Sequence, residues 1–335
     1  MSKKRNKSRV KNKKKNKKSF LKRLMFFILY EFVIGIVFTI LLVFYGPFDG
    51  VRNTIVGTAM ATYKHQYIAT TFLSEEKINK ILNKGNSKPA MAEDTSGINI
   101  QNTGKNSIER YDISNAKFDG YIIEIKNPKK VKIGFTQYLG KMGERTSQIA
   151  KRNRAIAAVN GGGFRDVSSD GKLWTGTGAY PEGLVISKGK VIYNDFKRGE
   201  KANVTAFTKD GLLIVGNHTV EELLSQGVVE ALSFRNTLIV NGQPIHYNEG
   251  INPRTAVGQK KDGTIVFLVI DGRRGIKQGA TLDDVENILL QRGVVNASNL
   301  DGGSSSTMYY NGKVINRPCN WDGERTVATV LYVEP

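Results

Sequence analysis

The chain has 335 residues, with 50 Lys and Arg against 30 Asp and Glu and a formal charge of +20. Thirteen of those basic residues fall within residues 1–23, and the remaining 312 residues carry only about +7, which excludes a nucleic-acid surface as the reading of the charge. A lone cysteine, Cys319, excludes an internal disulfide, so the chain must be stable from its core alone, which roughly 200 residues allow.

From the N-terminus, "MSKKRNKSRVKNKKKNKKSFLKR" (1–23) is a block of like charge without an acid and reads as a disordered cytoplasmic tail lying near anionic lipid. "LMFFILYEFVIGIVFTILLVFY" (24–45) follows: 22 mostly apolar residues, enough to cross ~30 Å of hydrocarbon at ~1.5 Å per residue. The positive flank stays inside, which places the C-terminal mass outside the plasma membrane as a single-pass protein. A cleaved signal peptide would carry a shorter apolar run of roughly 7–15 residues. The nearest A-x-A pattern, Ala59 and Ala61, lies well past the span, so a retained anchor is expected. Glu31 interrupts the span and is given no function.

Residues 46–117 read as a stalk and linker: "RNTIVGTAMATYKHQYIATTF" is moderately apolar and suits a helix near the membrane, and the polar stretch after it, with scattered Gly, Asn, Ser and Pro, holds a short amphipathic helix at about 75–83 and then a linker. The compact domain is expected over 118–335. Five hairpin signals recur there, at Lys188-Gly189, Asp210-Gly211, Asn241-Gly242, Asp262-Gly263 and Asn311-Gly312, each flanked by apolar β-branched runs. Two helices interrupt the strands, at 144–156 and 281–293, the second with a Thr281/Asp284 capping pair and a Gly293 stop. The expected fold is α+β: a mixed, strand-rich sheet with several antiparallel hairpins and at least two packed helices, preceded by one transmembrane helix.

Each helix leads into a short strand that ends in a polar residue and glycines: Asn160-Gly161-Gly162 after the first, Asp301-Gly302-Gly303 after the second. Polar strand ends beside glycine let backbone approach a ligand closely. Among carboxylates, Asp301 opens "LDGGSSS", Asp271 ends the apolar strand "FLVID" and Glu182 lies in "AYPEGLVI". A carboxylate that ends a buried strand is costly unless paired or used. Arg254, Arg273, Arg274 and Arg325 offer forked donors for an anion, or ion pairs that stiffen a site; the sequence does not separate the two.

The Gly-Ser run matches neither a Walker loop nor a G-x-S-x-G elbow, and no histidine follows it to act as base. His65, His218 and His246 are scattered, match no metal or triad spacing, and each reads as a surface or satisfied structural residue. Metal is left open: Asp271, Asp301 and backbone carbonyls are the hard oxygen donors that suit Ca²⁺, though no ligand spacing demands it.

Taken in order, "AVNGGGF", "EGLVISKGK", "NPRTAVG", "LVIDGR", "NASNLDGGSSSTMYYNGKVINRP" and "ERTVATV" resemble the phosphodiester glycosidase family over about 118–334. The resemblance implies hydrolysis of a bond between a sugar and a phosphate ester, with Asp301 as nucleophile or base and Glu182 or Asp271 as the second carboxyl. It implies Arg254 and Arg325 as a phosphate clamp, and Asn160, Gly161 and Gly162 on sugar hydroxyls. Arg273, Gly302, Gly303, Ser304, Ser305 and Asn316 complete the implied substrate-binding set. Animal members carry disulfides and a C-terminal anchor; a single cysteine and an N-terminal anchor point instead to a bacterial envelope member. Its expected substrate is a phosphorylated envelope glycan or exopolysaccharide. The competing reading is a non-catalytic glycan-binding or assembly protein of exopolysaccharide biosynthesis, with the same fold and no turnover.

Overall fold

The computed structural model describes residues 2–60, 66–82, 93–100, 107–165, 177–247, 249–320 and 322–335. The chain divides into two units, Met1–Asn53 and Thr54–Pro335. The first is built on one helix, α1 (Ser2–Tyr45), whose stretch Leu21–Tyr45 is long and apolar enough to span a bilayer and is exposed over most of its length, with Phe44 near its end buried. The basic residues expected as a disordered tail continue this helix instead. Lys and Arg are good helix formers, and extending an existing helix avoids the cost of nucleating a new one. Among the described residues three short helices follow: α2 (Asp49–Met60), α3 (Tyr67–Thr70) and α4 (Glu75–Leu82), the last where the amphipathic pattern predicts it.

Among the described residues, three large sheets and a two-stranded ribbon, Glu144–Arg145 with Thr326–Val327, make up the second unit, and every described pairing of their strands is antiparallel. The large sheet runs in the order Ile108–Ser114, Asp119–Ile125, Ile265–Ile270, Arg254–Lys260, Val294–Leu300, Thr237–Val240, Gln243–Pro244. A second has the order Lys190–Asn194, Leu184–Ser187, Val228–Ser233, Ala202–Thr208, Leu213–His218. The third has Lys313–Val314, Met308–Tyr310, Ala157–Asn160, Thr329–Val333, Val131–Phe135. All five expected turns join paired strands. Lys188-Gly189, Asn241-Gly242 and Asn311-Gly312 have positive φ at both residues, the signature of a type I′ hairpin, while only the glycine is positive at Asp210-Gly211 and Asp262-Gly263.

The sheets share one core. Ile123, Val257, Phe267, Val269 and Leu300 of the large sheet meet Val185, Phe207 and Leu232 of the second and Ile133, Val159 and Leu331 of the third. A helix covers the outer face of each sheet, because each sheet is apolar on both faces and must bury both. α5 (Thr146–Arg152) packs Ile149 and Ala150 on the third sheet. α6 (Val220–Ser225), which the sequence reading missed despite its Thr219/Glu222 capping box, packs Leu223 on the second. α7 (Leu282–Gln291), capped by Thr281 and Asp284 as expected, buries Leu282, Val285 and Leu289 against the large sheet.

One boundary moves. Ile108–Ser114, placed in the linker by its polar composition, pairs residue for residue with Asp119–Ile125 and forms an edge of the large sheet. An edge strand with one solvated face carries polar residues, so composition alone assigns it to a linker.

Candidate active site

The starting end of the strand Arg254–Lys260 lies between the finishing ends of its two neighbours. Arg254 pairs with Ile270 on one side, and Thr255 pairs with Leu300 on the other. Asp271 and Asp301 therefore emerge at the same end of the large sheet, one strand apart on either side. Their surroundings differ because the pleat alternates. Asp271 continues the face of Phe267 and Val269, which belong to the shared core; Asp301 follows Leu300 of that core and so turns to the opposite face, with Asn299.

An open cleft lies at this end, lined by Asp301, Gly302, Gly303, Ser304, Arg254, Arg273, Arg325, Phe234, Arg235, Glu249, Asn252 and Asn299, with Met60 and Gln66 from the segment N-terminal to the domain. Four guanidiniums thus face two carboxylates, a balance suited to an anionic ligand. Arg254 is buried and anchored: Nε donates to Ala280 O (3.1 Å), Nη1 to Glu249 Oε2 (3.0 Å) and Nη2 to Gly250 O. Burial pulls its pKa down, partly countered by Glu249. Arg273 donates to Asn252 Oδ1 (2.9 Å), and Arg325 donates to Ser304 Oγ (3.3 Å) while stacking over Phe164 at 4.7 Å. Gly303 has φ +60 and stands where a Cβ would sit 3.2 Å from Arg273 Nη2, so a side chain there would crowd that guanidinium.

Asn299 is buried beside Asp301, and its Oδ1 has no hydrogen-bond partner among the described residues. An acceptor of that kind at a cleft wall fits a ligand hydroxyl. Glu182, an exposed residue, does not line the cleft, but it is close enough to Asp301 to feel its charge. Crowding of its carboxyl by neighbouring protein raises its pKa, Asp301 and Asp195 add to this, and Arg235 opposes it.

Several expected ligands of the substrate are structural instead. Asn160 is fully buried: its Oδ1 accepts from Thr255 Oγ1 (2.8 Å) and Thr307 N (3.1 Å), and its Nδ2 donates to Asp301 O. Asp301 N in turn donates to Gly161 O (3.0 Å), so the two echoing motifs bind each other. Gly161 and Gly162 serve close packing; a Cβ on Gly162 would lie 2.3 Å from Ser233 O. Asp271 is 6% exposed, with Oδ1 accepting from Asn316 Nδ2 (2.9 Å) and Oδ2 from Arg317 N (2.9 Å). Burial raises its pKa in spite of these bonds. Asn316 also bonds Ser306 O and Met308 N, so the Asp271–Asn316 pair holds the loop after Asp301 rather than facing the cleft. Ser305 is buried too, away from the cleft lining. Asp271 and Asp301, proposed from the sequence as oxygen ligands for Ca²⁺, belong to no group of three His, Cys, Asp or Glu side chains that could share an ion among the described residues.

The sequence reading missed Asn299, Asn252, Glu249, Phe234 and Arg235. One of them was legible: Asn299 stands two residues before Asp301 at the end of Val294–Leu300, and side chains at i and i+2 of a strand share a face. Phe234, Arg235 and Glu249 come from connections brought near by other strands and leave no local signal.

Residues 153–334 match the model of the phosphodiester glycosidase family. A prophage-derived protein of Bacillus subtilis, YomE, is 32% identical over 203 residues, covering 57% of this chain and 29% of that protein. The bovine N-acetylglucosamine-1-phosphodiester alpha-N-acetylglucosaminidase is 31% identical over 214 residues, covering 56% of this chain and 38% of the enzyme. The matched region thus spans about a third of the length of these relatives. Among solved structures, the catalytic domain of the zebrafish counterpart, auto-inhibited by its pro-peptide, superposes with a TM-score of 0.62 at 21% identity, over 76% of this chain and 93% of that one.

Proposed function

The chain belongs to the phosphodiester glycosidase family, and on that premise we propose that its C-terminal domain hydrolyses sugar-1-phosphodiester bonds in a bacterial cell-envelope glycan or exopolysaccharide. The observation that carries this reading is the set of four guanidiniums around Asp301 at the end of one strand. Water adds to the anomeric carbon of the sugar, the bond from that carbon to the phosphate oxygen breaks, and the phosphate departs as a monoester. Such a leaving group is weakly basic, so binding its charge matters more than protonating it.

In this reading Arg273, Arg325 and Arg235 bind the phosphate, while Arg254, already tied to Glu249, fixes the wall behind them. Asp301 activates water or attacks the anomeric carbon, and Glu182, its carboxyl pushed above the usual range by crowding and by Asp301, is the second carboxyl. Asp271 is not assigned that role, because both of its oxygens are engaged in the scaffold. Asn299 Oδ1 accepts from a sugar hydroxyl, and Ser304 Oγ meets a sugar hydroxyl or donates to a phosphate oxygen. The span Leu21–Tyr45 anchors the chain, with the basic residues inside, near anionic lipid, and the domain outside.

The test is to incubate the full chain in detergent with N-acetylglucosamine-1-phosphodiesters and with purified phosphate-containing envelope polymers, and to assay reducing sugar. Release by the wild type, lost in Asp301→Asn, supports the proposal. Retained glycan binding with no release from any substrate would favour the non-catalytic alternative.

A further inference from the structure

His246, Asp283 and Glu286 come together although the sequence separates them. Asp283 and Glu286 lie three residues apart on one face of α7, and His246 follows the hairpin Thr237–Val240/Gln243–Pro244. His246 has φ +63, a conformation rare for a non-glycine residue, and its backbone N donates to Glu286 Oε1 (3.2 Å).

Two distances separate this group from an ordinary polar cluster. His246 Nδ1 lies 3.3 Å from Asp283 Oδ1 and 3.4 Å from Glu286 Oε2, long for hydrogen bonds, which centre at about 2.9–3.0 Å. They equal the edge of a tetrahedron around an ion with ligands at ~2.0–2.1 Å, which is roughly 3.4 Å. The three donor atoms lie within 4.8 Å of one another. Independently, Glu286 is 1% exposed, and its Oε2 has no hydrogen-bond partner among the described residues. A buried carboxylate oxygen facing an imidazole nitrogen at 3.4 Å is satisfied by a proton on the imidazole or by a cation bound to both.

We propose that His246 Nδ1, Asp283 Oδ1 and Glu286 Oε2 bind a divalent transition-metal ion, with zinc as the best fit. One imidazole and two carboxylates in a three-ligand set suit zinc better than calcium or magnesium, which prefer six or more oxygens. The exposed sides of His246 and Asp283 leave the fourth position to water. The ion pins the segment after the hairpin to α7. Three residues on, Glu249 holds Arg254 Nη1 (3.0 Å) and Asn236 Nδ2 (2.6 Å) at the cleft, so the metal stiffens one wall of it.

The test uses the untagged full chain in detergent, stripped with chelator and then titrated with ZnCl₂, CaCl₂ and MgCl₂, with elemental analysis and Tm as readouts. One zinc per chain is expected, with a rise in Tm that the other two ions do not reproduce. His246→Asn, whose residue type accepts the left-handed backbone, and Asp283→Asn, at an exposed position, should each weaken zinc binding at least ~10-fold and leave the chelated Tm unchanged. Cys319→Ser should bind zinc as the wild type does. No saturable zinc binding, wild-type affinity in both variants, loss of binding in Cys319→Ser, or a preference for calcium would overturn the proposal.

Discussion

Asp271 and Asp301 look alike in the chain: each follows an apolar strand, each precedes a glycine, and the two strands flank the same neighbour. Their environments are opposite. Asp271 turns to the inner face, where Asn316 and Arg317 use both of its oxygens; Asp301 turns to the outer face, into a cleft with four arginines. The difference comes from pleat parity at the point where each strand leaves the sheet. The carboxylate on the inner face becomes part of the scaffold, and the one on the outer face lines the cleft.

Exchanging the functional groups should separate the two roles, and the largest effect is expected at the cleft. Asp301→Asn should lower turnover by ~10³-fold or more with Tm unchanged, measured as sugar release and thermal melting. Loss of stability instead would make Asp301 a second scaffold residue. Asp271→Asn should do the reverse, costing on the order of 2–3 kcal/mol in denaturant unfolding because an amide group then faces the Asn316 amide and the Arg317 N–H. Turnover per folded molecule should stay within about threefold of wild type by the same separation of roles. Smaller effects belong to the proposed phosphate clamp: Arg273→Gln or Arg325→Gln should raise KM by ~10–100-fold, and Arg325→Lys should not restore it, since a point charge lacks the guanidinium fork and its stacking on Phe164.

The smallest effect concerns buried carboxylates far from the chemistry. Burial raises Glu93 to about 8, above its ordinary 4.5, despite the bond from Val215 N. The folded chain therefore keeps a proton that the unfolded chain releases, and stability should fall as pH rises from about 4.5 to 8, then level off. After allowance for solvent reaching this partly exposed residue, the fall should be on the order of 1–2 kcal/mol. Glu93→Gln should flatten that slope in melts run across the window; an unchanged slope would assign it to other groups, Glu286 and Asp271 first.

Much of this molecule is written locally. The apolar stretch within α1, five hairpin turns, α4, α5 and the capped α7 follow from periodicity, turn residues and capping pairs, because those depend on neighbours a few positions away. The motifs that mark the family are also contiguous, and they bring Asp301, Arg254, Arg273 and Arg325 into view as polar residues at strand ends. What the sequence could not divide was the list itself. Asn160 and Asn316 belong to the same motifs as the cleft residues, yet they spend their amides on Thr255, Thr307, Asp271 and Met308. Glu249 and Arg235 reach the cleft from segments with no motif, and His246 meets Asp283 and Glu286 across 37 and 40 residues. Which face a strand-end residue takes, and which distant segment packs against it, is set by register and sheet packing, which depend on the whole chain at once.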